Sequence, residues 1–173
     1  MASNQPRRAD QMVGVLLMTF GSPATLDDVP AYMTHVRGGR DASPDLVAEF
    51  RRRYELVGGS PLIGITRDQA KAVETELSRR FPAGPRFVAS VGMRHSPPFI
   101  GEAIEGLAAQ GIDEIICLIM SPQYSPFIMG GYHRAVDDAV ARLASQGMTI
   151  HARVAGAWHT NENFLAAWSS GSR

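Results

Sequence analysis

The sequence predicts an α/β fold, a parallel sheet covered by helices on both faces. Three observations carry this. Apolar runs of strand length alternate with longer helix-type segments along the chain. The runs are nearly continuous in Val, Leu, Ile and Met, as strands buried on both faces require. They are separated by Gly, Pro, Ser and Asn clusters with the chemistry of turns and helix caps.

Residues 13–20 (VGVLLMTF) form the first strand, stopped by Gly21, Ser22 and Pro23. A helix follows Thr25, with Asp27 and Asp28 in its first turn near the positive dipole end. Pro30 is early enough in it to be tolerated. Ser43 and Pro44 are a cap and first-turn pair for a helix to about residue 57, broken by Gly58, Gly59, Ser60 and Pro61. Residues 66–69 (TRDQ) have capping-box spacing and open a helix to about residue 80. Residues 86–93 are the second strand, 98–110 a helix with Gly111 just past its end, and 114–121 the third strand, expected at the centre. Residues 130–146 are a helix ended by Gly147, and 149–155 the fourth strand. Residues 160–163 (TNEN) open a last helix with Phe164, Leu165 and Trp168 on its apolar face. The polar residues 1–12 are expected to be a disordered tail, leaving 13–173 as the domain.

The 173 residues suffice for one core and are too few for two. Seventeen Lys+Arg balance seventeen Asp+Glu, so charge gives no case for nucleic acid or for a basic partner. Cys117 is the only cysteine, which excludes an internal disulfide and CxxC zinc sites; its apolar neighbours mark it as core. No apolar run approaches the ~20 residues of a membrane span, and the start of the chain lacks a secretory pattern. The expected location is the cytoplasm. No GxGxxG, GxxxxGK[ST] or GxSxG motif occurs, and the five histidines never fall in HxH or HExxH spacing.

In a parallel sheet the ligand lies beyond the carboxyl ends of the strands, where strand order reverses. Those ends are residues 19–23, 94–98, 121–131 and 158–160. At the second, Arg94 and His95 place a cation and an imidazole; taken alone, the segment reads first as a surface loop in which Pro98 opens the helix. At the third, residues 121–132 (SPQYSPFIMGGY) read as a long apolar and aromatic loop, either packing or one wall of a cleft for a large flat ligand. Arg37, Arg40, Arg51, Arg52 and Arg53 crowd one stretch, either as a solvated helix face or as bidentate anchors for carboxylates.

The segments LLMTFGSP (16–23), HVRGGR (35–40), RY (53–54) with GGSPL (58–62), GMRH (92–95) and SPQYS (121–125) stand in the order and spacing seen in ferrochelatases. The chain resembles this family from residue 13 to 168, and the bacterial coproporphyrin III type in particular. The resemblance implies one of two similar flavodoxin-like halves that enclose a porphyrin, here the N-terminal one, ending before the second. It implies insertion of ferrous iron into a porphyrin, with both as substrates and no tightly bound cofactor. Phe20, Arg37, Arg53, Tyr54, Ser60 and Tyr132 would line the porphyrin site, with the two arginines on propionates. Many relatives carry a tyrosine at the position of Phe20; phenylalanine keeps ring stacking and loses an axial oxygen ligand. The family's catalytic histidine and glutamate belong to the second half, so no catalytic residue is assigned here. His95 is the one imidazole at a strand end that could ligate metal.

These features imply a porphyrin-binding half that is inactive alone and pairs with a C-terminal domain or with itself. The competing readings are a non-catalytic tetrapyrrole-binding module, a single-domain chelatase acting as a homodimer, and a flavodoxin-like domain for another ligand. The absence of a histidine at the end of the first strand weighs against the homodimer.

Overall fold

The apolar run that opens the chain becomes a central strand because both of its faces find helices to pack against. The structure, a computed structural model, describes residues 11–122 and 125–170. Most of the expected tail, and Gln123 and Tyr124 of the SPQYS segment, lie outside the described residues. β1 (Met12–Thr19), β2 (Arg86–Met93), β3 (Glu114–Ile119) and β4 (His151–Val154) form one parallel sheet in the order β2-β1-β3-β4. Order therefore reverses between β1 and β3, where crossovers leave in opposite directions and open a crevice at the carboxyl ends.

Alternate residues of β1 feed two cores. Leu16 and Met18 join Cys117 and Ile119 of β3, Ile100, Ile104 and Leu107 of α4 (Ile100–Ala108), and Val136 and Leu143 of α5 (Pro126–Ser145). Val13, Val15 and Leu17 face the other way, with Phe87, Val91 and Met93 of β2 and with Ala70, Val73 and Leu77 of α3 (Leu62–Arg80). The sheet is thus covered on both faces, as expected. Cys117 is fully buried, and burial pushes its thiol up to about 12, so it is packing and not a nucleophile. Gly92 lets the strand end meet α4 closely, since a methyl there would lie 2.9 Å from Ile100 Cα.

Three helix starts differ from expectation. α3 begins at Leu62, four residues before the TRDQ box. The Ser60 hydroxyl accepts from Leu62 N (3.3 Å), and Thr66 sits inside the helix, donating to Leu62 O at 2.8 Å. α5 begins at Pro126, so residues 126–132 are helix and not loop. Ser125 caps it by accepting from Ile128 N (3.4 Å). Pro98 does not open α4. Its carbonyl accepts from Met93 N (2.8 Å), which extends the β2 edge, and Glu102 caps the helix at Phe99 N (2.8 Å).

The remaining helices sit at the rim. A 3-10 turn (Leu26–Asp28) leads into α1 (Val29–Val36), which buries Val29 and Met33. α2 (Pro44–Leu56) is capped by Ser43 as expected and buries no residue fully. α6 (Glu162–Ser170) also buries none. Trp158 ties its start to the sheet by donating from Nε1 to Ile119 O (2.8 Å), yet Trp168 stays 71% exposed.

Candidate functional site

Backbone pairing runs past the ends of β1 and β2, and this builds the site. Arg94 N donates to Thr19 O (2.9 Å) and His95 N to Phe20 O (3.0 Å), which sets residues 20 and 95 side by side above the sheet. Their rings touch at a centroid distance of 4.4 Å. Gly21 then turns the chain at φ +93°, where a side chain would strike the Ser96 hydroxyl; that hydroxyl accepts from Ser22 N at 3.1 Å. The Tyr32 hydroxyl donates to Gly21 O (3.3 Å) and fixes α1 over the turn.

With α1 so placed, His35 in its last turn reaches His95. The two Nδ1 atoms are 3.0 Å apart, and Phe99 stacks on His35 at 5.1 Å. His95 is only 9% exposed, whereas His35 opens to solvent. Burial first, then the Arg94 charge, then His35, hold the His95 imidazole down to about 4. At neutral pH it is uncharged, and one of the two rings donates the shared proton. His35 belongs to the HVRGGR segment, but its partnership with His95 is not readable from the sequence, because sixty residues and three elements separate them.

The other expected residues fall into separate places. Phe20, at the carboxyl end of β1, is 42% exposed. Arg37 ends α1 and donates from Nε to Arg40 O (3.2 Å), while Arg40 returns the same bond to Arg37 O (3.2 Å). Arg53, Tyr54 and Ser60 line a groove of about 350 Å³ with Val57, Gly59 and Pro61. Arg53 holds Glu49 through Nε at 2.8 Å; the bonds from Arg52 and Arg53 keep the Glu49 carboxyl below its usual range. Tyr132 does not share this open surface. It lies on α5, 2% exposed, with the Arg94 guanidinium 5.7 Å from its ring centroid, and burial raises its hydroxyl to about 12. Arg94 donates to Ile128 O (3.1 Å) and fills the notch left by Gly131, where a side chain would collide with it. A second groove of about 310 Å³ runs along β2 beside Arg67, Lys71 and Glu74. Glu74 there accepts from Ala89 N (2.6 Å), so it covers a sheet edge away from the strand ends.

Among the described residues no group of three His, Cys, Asp or Glu side chains could hold a metal ion. The arrangement offers an exposed aromatic side chain, guanidinium groups in reach of solvent, and two imidazoles in contact. That is a surface for a flat apolar molecule bearing carboxylates.

Residues 12–173 match the family model described as Ferrochelatase. The chain belongs to the ferrochelatase family. The coproporphyrin III ferrochelatase of Oceanobacillus iheyensis is 33% identical over 160 residues, covering 92% of this chain and 49% of its own length. The coproporphyrin III ferrochelatase of Listeria innocua is 34% identical over 158 residues, at 91% and 50%. That of Anoxybacillus flavithermus is 31% identical over 160 residues, at 92% and 49%. This ferrochelatase-family chain spans about half the length of the curated relatives it matches. Among its described residues no helix is long and apolar enough to cross a membrane.

The depressed His95 predicts a pH dependence for this ferrochelatase-family domain. Between its ordinary 6.5 and about 4 the unfolded chain binds more protons than the folded one, so stability falls as pH drops through that window. Above about pH 7 the contribution is flat. Thermal melts in chelator-containing buffer should show a slope from pH 6.5 to 5 that shrinks in His95→Asn; an equal slope in both proteins would refute the assignment.

Proposed function

We propose that this chain supplies one wall of the porphyrin cleft of a coproporphyrin III ferrochelatase, which inserts ferrous iron into the macrocycle during haem biosynthesis. The observation that carries the reading is the family match over residues 12–173, which takes in all of the strand-end loops that build the site. The macrocycle lies against Phe20. Arg37 and Arg53 take its carboxylates, and Tyr54 and the Ser60 hydroxyl border the same groove. Arg53 exchanges its exposed partner Glu49 for a substrate carboxylate at little cost, since exposed ion pairs contribute little.

Metal insertion removes two pyrrole protons and strips water from the ion, which needs a base and a metal-handing group on one face of a bent ring. We assign neither catalytic group to these residues, and propose that the 173 residues alone bind porphyrin without metallating it. We place the protein in the cytoplasm. The exposed Leu56, Val57, Phe127 and Trp168 support pairing with a C-terminal domain or with a second copy.

The test is a titration of coproporphyrin III with the purified chain, followed by its Soret band, and then anaerobic addition of ferrous iron. A saturating shift, with metallation no faster than the protein-free blank, is the expected result. Equal binding of the tetramethyl ester, which has no carboxylates, would sink the anchoring scheme. Clear turnover would overturn the assignment of catalysis to residues outside this chain.

A further inference from the structure

The His35–His95 pair joins two elements at the strand ends through their ring nitrogens. Two imidazoles from different elements point the same ring atom at each other, 3.0 Å apart, one buried and one open to solvent. Two nitrogens bound to one ion at about 2.05 Å lie about 2.9 Å apart when at right angles, and about 3.4 Å apart in a tetrahedron. The observed spacing fits the right-angled edge of a six-coordinate ion. Imidazole suits iron, nickel, copper and zinc.

We propose that His35 and His95 form a two-imidazole docking site for a divalent first-row transition-metal ion, with water in the remaining positions. The site stands apart from the porphyrin reading; its role as a station for substrate iron at the cleft edge rests on that reading. The surroundings suit it. The Nδ1 atoms of both rings already face one point from two elements, so no side chain has to swing for an ion to meet both. The Arg94 cation next to it is turned towards α5, where it donates to Ile128 O and lies over Tyr132. Phe20 and Phe99 pack against the two rings and restrict their motion. The exposed His35 gives the ion its way in, and the buried His95 holds it.

Proton balance is simple. In the hydrogen-bonded pair one N–H lies between the two Nδ1 atoms. When the ion enters, that proton leaves the donating Nδ1 and the same ring takes one up at Nε2 through solvent. Both Nδ1 lone pairs then face the metal, and no net proton is released.

The test uses the untagged full chain at pH 7.5 with Co²⁺ as the probe, read by calorimetry and by the visible bands of the bound ion. One Co²⁺ per chain is expected, with affinity reduced at least ~tenfold in His35→Ala and in His95→Asn. His35 is exposed, so His35→Ala keeps the fold, checked by far-UV circular dichroism; it decides the matter if His95→Asn unfolds. Absence of Co²⁺ binding, or wild-type affinity in His35→Ala, overturns the site, the latter placing the ion on another surface histidine. Coproporphyrin titrated into the same samples separates the two readings. Co²⁺ bound without any Soret shift keeps the site and removes its role with porphyrin. A Soret shift without Co²⁺ binding removes the site and leaves the chelatase reading intact.

Discussion

Leu16→Ala is expected to destabilise the domain by about 3–4 kcal/mol and lower its melting temperature by about 10 °C. Leu16 is fully buried at the middle of β1, paired with Ser90 on one side and Cys117 on the other. Its side chain joins the core formed with α4 and α5, and its Cδ1 would lie 3.2 Å from a methyl on Gly92. Truncation leaves a cavity between a sheet and two helices, which can collapse only by shifting whole elements. Urea unfolding should show a lower midpoint at unchanged slope. Leu16→Met, which conserves volume, should cost less than about 1.5 kcal/mol. Equal losses in the two variants would mean that β1 is not the packed centre of the sheet.

Removing both Arg37 and Arg53 is expected to weaken coproporphyrin binding about a hundredfold, roughly tenfold for each guanidinium. Both side chains reach solvent, so each contributes at the lower end for a charge-assisted contact. Both also have partners to give up. Arg37 leaves the Arg40 carbonyl, and Arg53 leaves Glu49. Arg52→Ala is the control, since Arg52 shares Glu49 through its other oxygen (3.1 Å) and lies outside the groove of Arg53, Tyr54 and Ser60. It should change the affinity less than about threefold. A loss in Arg52→Ala equal to that in Arg53→Ala would show a diffuse charge effect in place of anchoring. Raising the salt should weaken the wild type more than the double variant.

Much of this was legible before any coordinates. The four strands are at their expected places within a few residues; for β1 and β3 this is because strands packed on both faces are near-continuous apolar runs, while the short, half-exposed β4 is marked by the glycine turn before it. The Ser43–Pro44 start of α2 also follows from local chemistry, since a cap and its first turn are adjacent in sequence. The errors lie where local signals competed. The TRDQ spacing suits a helix start, yet Ser60 and Pro61 start the helix earlier and Thr66 is buried inside it. The GG pair at 130–131 reads as a helix boundary, whereas both lie inside α5, and Gly131 leaves the space that Arg94 fills. A guanidinium thirty-seven positions away leaves no mark on the local pattern.

The sequence by itself determined the layers, the strand-end loops that carry chemistry, and the family to which the chain belongs. Those properties rest on periodicity, on caps and turns, and on motifs read in order, all of which are local. Only the tertiary structure decided which loop residues meet. It paired His35 with His95, buried Tyr132 beside Arg94, and gathered Arg53, Tyr54 and Ser60 along one groove. Such contacts depend on how β1 and β2 register and on how α1 folds back over Gly21. Those are long-range choices set by the packing of the sheet, and no window of neighbouring residues encodes them.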